Sequence, residues 1–458
     1  MTQVLSLYTG STLILNMLTG DARVRSAGWS PQIGGMEDGT VWDTFDLVGK
    51  AANNTAYLDA LYAIQKFCTD AREYRLNSSR EDPCWLHYQA EGGVEVRALV
   101  YDGNVEVPGS SKYGALLNNA GAGVARLALQ RSAWFEATSS TTVTNGSLSA
   151  FAGMWTPTVT AGNLPGRIKS LKVSGYAGTT LDDLWVGVKP TYEGTGSFNA
   201  LWQAESGTLG ADTTTAADAT ASGGNRITIS FATTPTMAER LRISVSQILG
   251  SNYTHMIGSY LVLARMKTTA GVGRDTPFLI RTYQGLLGGT LEWTGELAYY
   301  TPPGAVYTNW SLFELGYFTV PSTGYRFSEG GSAALWCSSS TFYIYAQRLS
   351  GSASLYIDCL ILIPIEPLLT VKTCGLNAAA DYAQFHASAI GDTTTVVYDS
   401  ATTSYSLREH GAGLQPLWPV DGGILVYAAQ ATYNSTLGHF GALEIIYYPR
   451  YSLLTTSP

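Results

Sequence analysis

Residue types that could do chemistry are present in this sequence, but they form no catalytic pattern. The adjacent acids Asp182 and Asp183 stand at the start of a strand-like segment, where neighbouring side chains point to opposite faces. They are therefore a poor acid and base pair, since that chemistry needs two carboxyl groups facing one substrate. A GxSxG elbow, a phosphate loop and an HExxH helix are absent, and GAGVAR from Gly121 lacks the third glycine of a dinucleotide fingerprint. We expect no enzyme activity and no cofactor.

Cysteine and histidine do not gather into a metal site either. The five cysteines show no CxxC or zinc-ligand spacing, and an odd number fits poorly with a disulfide framework. We expect them to be reduced, buried and inert; they are Cys68, Cys84, Cys337, Cys359 and Cys374. The five histidines are scattered along the chain at His87, His255, His386, His410 and His439.

Composition favours a protein whose surfaces are covered by neighbours. Charged residues make up 14% of the 458 residues, which is well below the roughly 25% of ordinary soluble domains. Tyrosine is abundant, with 28 copies. Subunit contacts are enriched in aromatic residues and depleted in Lys and Glu, so extensive contacts would explain both features. A large sandwich rich in Thr, Ser and Gly is the alternative explanation.

Charge and hydropathy exclude several classes of partner. The net charge of −8 argues against a sequence-specific grip on nucleic acid, which needs a basic surface. No apolar run approaches the roughly 20 residues of a membrane span. The opening residues MTQVLSLYTG lack the basic start and the cleavage site of a signal peptide, so we expect the protein to be made in the cytoplasm without export.

One long helix is predicted at about residues 54–73. Asn53 or Asn54 can cap it, because an asparagine side chain accepts a hydrogen bond from an orphan backbone N–H. The apolar positions after the cap recur at helical spacing and define one buried face: Tyr57, Leu61, Ile64, Cys68 and Ala71. Asp59, Lys66 and Asp70 fall on the opposite, hydrated face.

The rest of the chain predicts a mainly β protein made of several β-sandwiches. Residues 1–137 form a β-sandwich with the helix on its flank, and Asp102-Gly103 is predicted to be a hairpin turn in it. Residues 138–163 are rich in Ser, Thr and Gly, which indicates a linker. Residues 164–370 contain many short strands, typical of a second sandwich. Residues 371–458 hold too few strands for a core of their own, so we expect them to pack on the first domain or complete it.

The two ends of the chain resemble distal tail and tail-tube proteins of long-tailed, siphovirus-like bacteriophages. The order of strand, helix, strand and hairpin in residues 1–137 looks like their ring-forming or tube-forming domain. Trp418-Pro419, the Gly422-Gly423 turn and the closing segment LEIIYYPRY look like their terminal strands.

This resemblance implies a structural protein of the virion tail. Its partners would be copies of itself in a ring or tube and other tail proteins. Contacts with these partners would involve the wet face of the helix and the aromatic-Arg-aromatic end of the chain, so the interface candidates are Asp59, Lys66, Asp70, Tyr448, Arg450 and Tyr451.

The region 164–370 resembles jelly-roll carbohydrate-binding modules, through Ser259-Tyr260 at the start of one strand and Ile357-Asp358 near the last strand. The resemblance implies sugar binding by exposed aromatic rings, for which the candidates are Trp185, Trp202, Trp293 and Trp310. Aromatic residues in strands are more often buried in a core, and this second interpretation stays open. Asp358 is a weak calcium candidate, because one carboxylate is far short of the six to eight oxygens that such a site requires.

Two functions are therefore expected as alternatives. The first is a tail component that assembles through strand edges and aromatic rims, with the second sandwich projecting outward. The second is an adhesion protein whose inserted sandwich binds a host surface glycan.

Overall fold

A computed structural model describes residues 3–30, 39–78, 81–107, 123–146, 148, 151–159, 162–190, 198–249, 253–269, 278–286, 291–299, 309–321, 338–365, 368–372, 374–412, 417–419, 422–431 and 441–451. Antiparallel sheets dominate these residues, so the prediction of a mainly β protein with several sandwiches is confirmed. Within these ranges, no helix is long and apolar enough to cross a membrane.

The first unit (residues 3–132) packs one helix against antiparallel strands. Its helix is α1 (Asn54–Leu76), and its strands are β1 (Val4–Thr9), β2 (Thr12–Asn16), β3 (Ala22–Ser30), β4 (Thr40–Gly49), β5 (Cys84–Gln89), β6 (Val96–Glu106) and β7 (Val124–Ser132).

Helix α1 matches its prediction in position and orientation. The Asn53 side chain caps it by accepting a hydrogen bond from the Ala56 N–H at 2.9 Å. All five predicted apolar positions are buried, together with Phe67 and Tyr74. All of them except Tyr74 pack against the apolar faces of β1, β4, β5 and β7 in a single core, and Tyr74 packs against Trp85 and Leu99.

The Asp102-Gly103 dipeptide is not a turn, and that prediction is wrong. Strand β6 runs straight through it, pairing with β5 before a register shift at Val100 and with β7 after it. Gly103 is needed because α1 passes directly over the strand: a Cβ there would lie 2.6 Å from the Cys68 Sγ atom. The glycine therefore serves a close approach of helix and sheet rather than a reversal of the chain.

The second unit, called here the carrier (residues 135–190 and 368–451), begins just before the predicted linker and includes it. Its first strands are β8 (Phe135–Ala137), β9 (Thr141–Asn145), β10 (Ala152–Trp155), β11 (Leu164–Ser174) and β12 (Leu181–Pro190). Strands β9 and β10 occupy residues that the Ser-rich composition had indicated as a linker, since Thr and Ser are as compatible with an edge strand as with a loop.

The insertion (residues 198–365) is a two-sheet sandwich, with a six-stranded sheet packed on a five-stranded sheet. Its elements are β13 (Leu201–Gln203), β14 (Thr208–Leu209), β15 (Thr213–Ala217), β16 (Asn225–Ile229), β17 (Ala238–Ser244), α2 (Val245–Leu249), β18 (Gly258–Thr268), β19 (Phe278–Leu286), β20 (Leu291–Tyr299), β21 (Ser311–Val320), β22 (Ser340–Arg348) and β23 (Leu355–Pro364).

The chain then returns to the carrier and completes it with β24 (Leu368–Val371), β25 (Tyr382–Ala387), β26 (Asp392–Asp399), β27 (Ser404–Ala412), β28 (Leu417–Trp418), β29 (Gly423–Ala431) and β30 (Ala442–Tyr451). Strand β30 pairs with β8, β9 and β11, and β29 pairs with β10 and β12. The insertion therefore starts after β12 and not at residue 164, because β11 and β12 find their partners among the last strands of the chain.

The four-stranded carrier sheet has the order β10-β29-β12-β24, and its central strands β29 and β12 are buried on both faces. Leu184, Val186 and Leu425 face the larger carrier sheet, whereas Trp185 and Val426 share a core with the insertion. The insertion therefore stacks face to face on the carrier of its own chain, and its projection outward from a ring of subunits stays a prediction. All nine residues of β29 are buried, as expected for a strand covered on both sides.

A buried ionic cluster joins the first unit to the carrier. Glu136 accepts hydrogen bonds from the Nε–H and an NH2 group of Arg97 at 3.1 and 3.0 Å, and from those of Arg167 at 2.8 and 2.7 Å. Burial alone would raise the pKa of the Glu136 carboxyl, but the two guanidinium groups outweigh it and hold that pKa below its ordinary value.

This cluster also accounts for two residues that were predicted to contact other subunits. Tyr448 is 8% exposed, with the guanidinium carbons of Arg97 and Arg167 at 4.7 and 4.4 Å from its ring centroid. Arg450 is 4% exposed and lies over the ring of Trp134. Both side chains bind within the chain, so their assignment as subunit contacts is wrong.

We expect Glu136→Gln to destabilise the protein by about 3–5 kcal/mol, because it leaves the buried guanidinium of Arg167 and the largely buried one of Arg97 without a carboxylate. The pKa of Glu136 is lower in the folded state, so its contribution is complete above the ordinary value of 4.5 and is lost as pH falls through the folded pKa. Denaturant unfolding at a series of pH values should therefore show the gap between wild type and variant narrowing in acid. The exposed Glu81→Gln is the control, and a gap that stays constant in acid would contradict this prediction.

Candidate functional site

The face of the five-stranded sheet that points away from the insertion core carries a row of aromatic side chains. Strands β19, β20 and β22 are neighbours in this sheet. Phe278, Ile280, Phe342 and Ile344 point inward and belong to the core. Because side chains alternate along a strand, the residues between them point outward.

The row runs across three strands. Trp293 on β20 is directly opposite Tyr283 on β19, which is directly opposite Tyr343 on β22. Trp293 is 65% exposed, whereas Tyr343 is buried. Tyr345 lies two residues along β22, half-buried, with its ring 5.1 Å from that of Tyr283 in an edge-to-face contact. Edge-to-face packing stabilises aromatic pairs, so these two rings hold each other in place.

Two ion pairs flank the row. The Arg281 Nε–H donates to Glu296 Oε2 at 2.6 Å, and this hydrogen bond raises the pKa of the guanidinium. Arg242 and Glu239 approach to 3.8 Å on the neighbouring strand β17. Burial and, secondarily, the nearby Glu239 carboxylate raise the pKa of Tyr345, so its hydroxyl stays protonated near neutral pH.

This arrangement can bind a ligand that has both an apolar face and hydroxyl groups. The open ring of Trp293 offers a flat apolar surface, and the ion-paired side chains beside it offer donors and acceptors. A sugar ring has that combination of surfaces.

Three of the four predicted tryptophans do not lie on this face. Trp185 is 1% exposed, and its indole N–H donates to Glu314 Oε1 at 2.8 Å, at the contact between carrier and insertion. Trp202 is also 1% exposed and donates to the Asn199 carbonyl at 3.0 Å.

Trp310, 9% exposed, donates to Thr220 Oγ1 at 2.9 Å and lies under the Lys267 ammonium. These three assignments as exposed stacking surfaces are wrong, because each ring fills a core position or a packed loop. Trp293 remains a candidate.

Asp358 does not offer a calcium site. Its carboxylate is fully buried and ion-paired with Arg265, and it accepts the Ser222 N–H at 2.9 Å and the Ser222 hydroxyl at 3.0 Å. The positive charge that it needs is therefore supplied by a side chain. Across the described ranges, no three His, Cys, Asp or Glu side chains converge as metal ligands.

The described cysteines are free and buried. Burial, as the largest cause, raises the pKa of the Cys68, Cys84 and Cys374 thiols to about 12, so they are protonated at neutral pH. A protonated thiol is a poor nucleophile, which agrees with the expectation that they are inert. Cys337 lies outside the described residues.

The residues on the hydrated face of α1 remain candidates for subunit contacts. Asp59 and Lys66 are exposed, and Lys66 pairs with Asp70 at 2.7 Å, one helical turn away. Tyr451 is half-buried. Their role in subunit contacts stays a prediction.

A second aromatic feature lies at the far edge of the 15-stranded sheet that runs through the first unit and the carrier. Strand β27 ends the path of pairing there. Tyr382, Tyr398 and Tyr405 are directly opposite one another across β25, β26 and β27, with ring centroids 5.0 and 4.8 Å apart. Tyr405 is 65% exposed and Leu407, on the same strand, is 62% exposed.

Tyr283, Tyr343 and Tyr345 of the first row were not predicted as site residues from the sequence. Their signal is the alternation in TFYIYAQR, where Phe342 and Ile344 take one face while Tyr343 and Tyr345 take the other. That pattern shows two different faces, but it does not show which face is covered.

The comparisons with known proteins give little beyond this geometry. No protein-family model matches the chain, and no curated protein matches it. Among solved structures, the chain is similar to the N-terminal CBM22-1-CBM22-2 tandem domain of Xyn10C from Paenibacillus barcinonensis, at 11% identity and a TM-score of 0.22, over 62% of this chain and 94% of that one. A TM-score this low does not establish a shared fold.

We expect the two kinds of tryptophan to differ sharply in stability measurements. Trp202→Ala should cost about 3–5 kcal/mol in unfolding free energy, because it empties a core position. Trp293→Ala should change it by no more than about 0.5 kcal/mol, since the ring is exposed. Denaturant titration of both variants tests this, and a large loss for Trp293→Ala would mean that its ring is packed.

Proposed function

We propose that the insertion binds a carbohydrate on the aromatic row formed by Trp293, Tyr283 and Tyr345. The observation that carries the proposal is the 65% exposure of Trp293 within a row of rings, beside charged side chains that are already paired. The protein would then act by adhesion, as a binding protein rather than an enzyme.

The energetics of the row support this role. Trp and Tyr give large contact areas for a small loss of side-chain entropy, so rings that are already held in place favour binding. The contact between Tyr283 and Tyr345 and the Arg281–Glu296 ion pair fix the surroundings of Trp293 before a ligand arrives.

A glycan array followed by calorimetry on the intact protein tests the proposal. We expect Trp293→Ala to weaken the binding of any captured glycan by roughly tenfold or more, as the loss of an aromatic anchor does. Trp42→Ala is the matched control, because Trp42 is also exposed, at 46%, but lies on β4 of the first unit. Absence of glycan binding by the wild type, or equal binding by Trp293→Ala, would refute the proposal.

A second candidate function is assembly into a bacteriophage tail, as the resemblance of the two ends implies. The observation that favours it is the β27 edge with its exposed Tyr405 and Leu407. An edge strand presents backbone donors and acceptors that a strand of another copy can pair with, and ring closure between copies would cover such edges.

The second candidate predicts self-association that depends on β27. We expect the wild type to form larger species as its concentration rises, and Leu407→Glu to shift that transition to concentrations about tenfold higher, because it places a charge in the contact. Leu349→Glu is the control, since Leu349 is also exposed but lies in the insertion. A wild type that stays monomeric in ultracentrifugation and shows neither rings nor tubes in electron microscopy would exclude this role.

A further inference from the structure

We infer that the ligand of the aromatic row is an uncharged, extended polysaccharide that lies across strands β20, β19 and β22, and not an acidic glycan. This inference rests on the carbohydrate-binding function proposed above and narrows it to one chemical class.

The direction of the row indicates an extended ligand. Trp293 and Tyr283 are directly opposite on β20 and β19, and Tyr345 lies on β22 two residues beyond the position opposite Tyr283, so the row crosses three consecutive strands. Neighbouring strands are about 4.8 Å apart, which makes the row roughly 10 Å long. That length accommodates more than one sugar ring. The high exposure of Trp293 also means that the end of the row is open, so a chain can continue past it.

The charges around the row balance. The described ionisable groups beside it are Arg281 and Arg242, each paired with a carboxylate, Glu296 and Glu239 respectively. Glu292, the other charged residue beside Trp293 on β20, points to the opposite face of the sheet, where it accepts a hydrogen bond from Gln284 at 3.2 Å. A bound carboxylate or sulfate would need a cation that is not already neutralised, and it would meet a protein with a net charge of −8.

The Arg281–Glu296 pair is suited to hydroxyl groups. Its side chains are 41% and 39% exposed. A guanidinium has five N–H donors and a carboxylate has two acceptor oxygens, so the hydrogen bond between them leaves further donors and acceptors side by side. Neighbouring hydroxyls on a sugar need a donor and an acceptor in that arrangement.

The test compares neutral and acidic ligands on the intact protein. The neutral probes are gluco-, manno- and xylo-oligosaccharides, and the acidic probes are polygalacturonate and a sulfated polysaccharide, each titrated at low and high salt. We expect binding to at least one neutral probe, changing by less than about twofold with salt, because no net charge is matched at the contact. Binding to the acidic probes should be at least roughly tenfold weaker.

Glu296→Gln sharpens the test by leaving Arg281 without its carboxylate. We expect this variant to gain binding to the acidic probes that is lost at high salt. Glu292→Gln, on the same strand, is the control and should not gain it.

The outcomes distinguish a failure of this inference from a failure of the proposed carbohydrate-binding function. Preferential, salt-sensitive binding of an acidic probe by the wild type would overturn this inference and leave the carbohydrate-binding function standing. Failure of Glu296→Gln to gain acidic binding would overturn the charge argument. Absence of binding to every probe and to the glycan array would refute the proposed function itself.

Discussion

The structure depends on a four-stranded sheet whose central strands are covered on both faces. Strands β12 and β29 lie at its centre, with the larger carrier sheet on one side and the insertion on the other. Such a sheet needs largely apolar faces, and its backbone groups and its few buried polar side chains must find partners within the protein. Gly187 marks how tightly the layers fit, because a Cβ at that position would lie 2.1 Å from the Pro364 carbonyl oxygen of the insertion.

Polar contacts at this junction fix the insertion in one position. Glu314 of the insertion accepts the Trp185 indole N–H at 2.8 Å and pairs with Lys372 of the carrier at 2.7 Å. Gln430 accepts the backbone N–H of Leu312 at 2.6 Å. The six-stranded sheet of the insertion is therefore covered by the carrier. The outer face of the five-stranded sheet is not part of this contact, and it presents its side chains outward. The aromatic row thus lies on a sheet that packs on this anchored layer, which favours precise positioning of a ligand.

Local patterns in the sequence predicted local structure well. The cap at Asn53 and the stripe from Tyr57 to Ala71 were sufficient for α1, because both signals lie within a few turns of one helix. Pairing over long distances was not predictable in the same way. Strands β11 and β12 belong with β29 and β30, and nothing in the residues of β11 identifies a partner more than 250 positions away, between Leu171 and Ile445 for example.

The exposure of the candidate site residues also depends on long-range packing that the sequence does not show. Trp185 and Trp293 both stand in strands with alternating neighbours, so each strand has one face that carries a tryptophan. Whether that face is covered depends on how the sheets stack. Trp185 lies where the insertion docks, and Trp293 lies on the outermost sheet. The turn prediction at Asp102-Gly103 was wrong for a related reason. Helix α1 crosses closely over β6 and requires a glycine there, and an Asp-Gly pair in the sequence looks the same as a turn signal.

The pairing of Arg265 with Asp358 has a consequence for the conditions that the insertion tolerates. A metal ion that neutralises a buried carboxylate can be removed by dilution or by a chelator, and the protein then loses whatever stability the ion supplied. A guanidinium is covalently attached and stays charged at any pH at which the protein would be used. The charge balance at Asp358 is therefore encoded in the chain itself and does not depend on the supply of divalent ions.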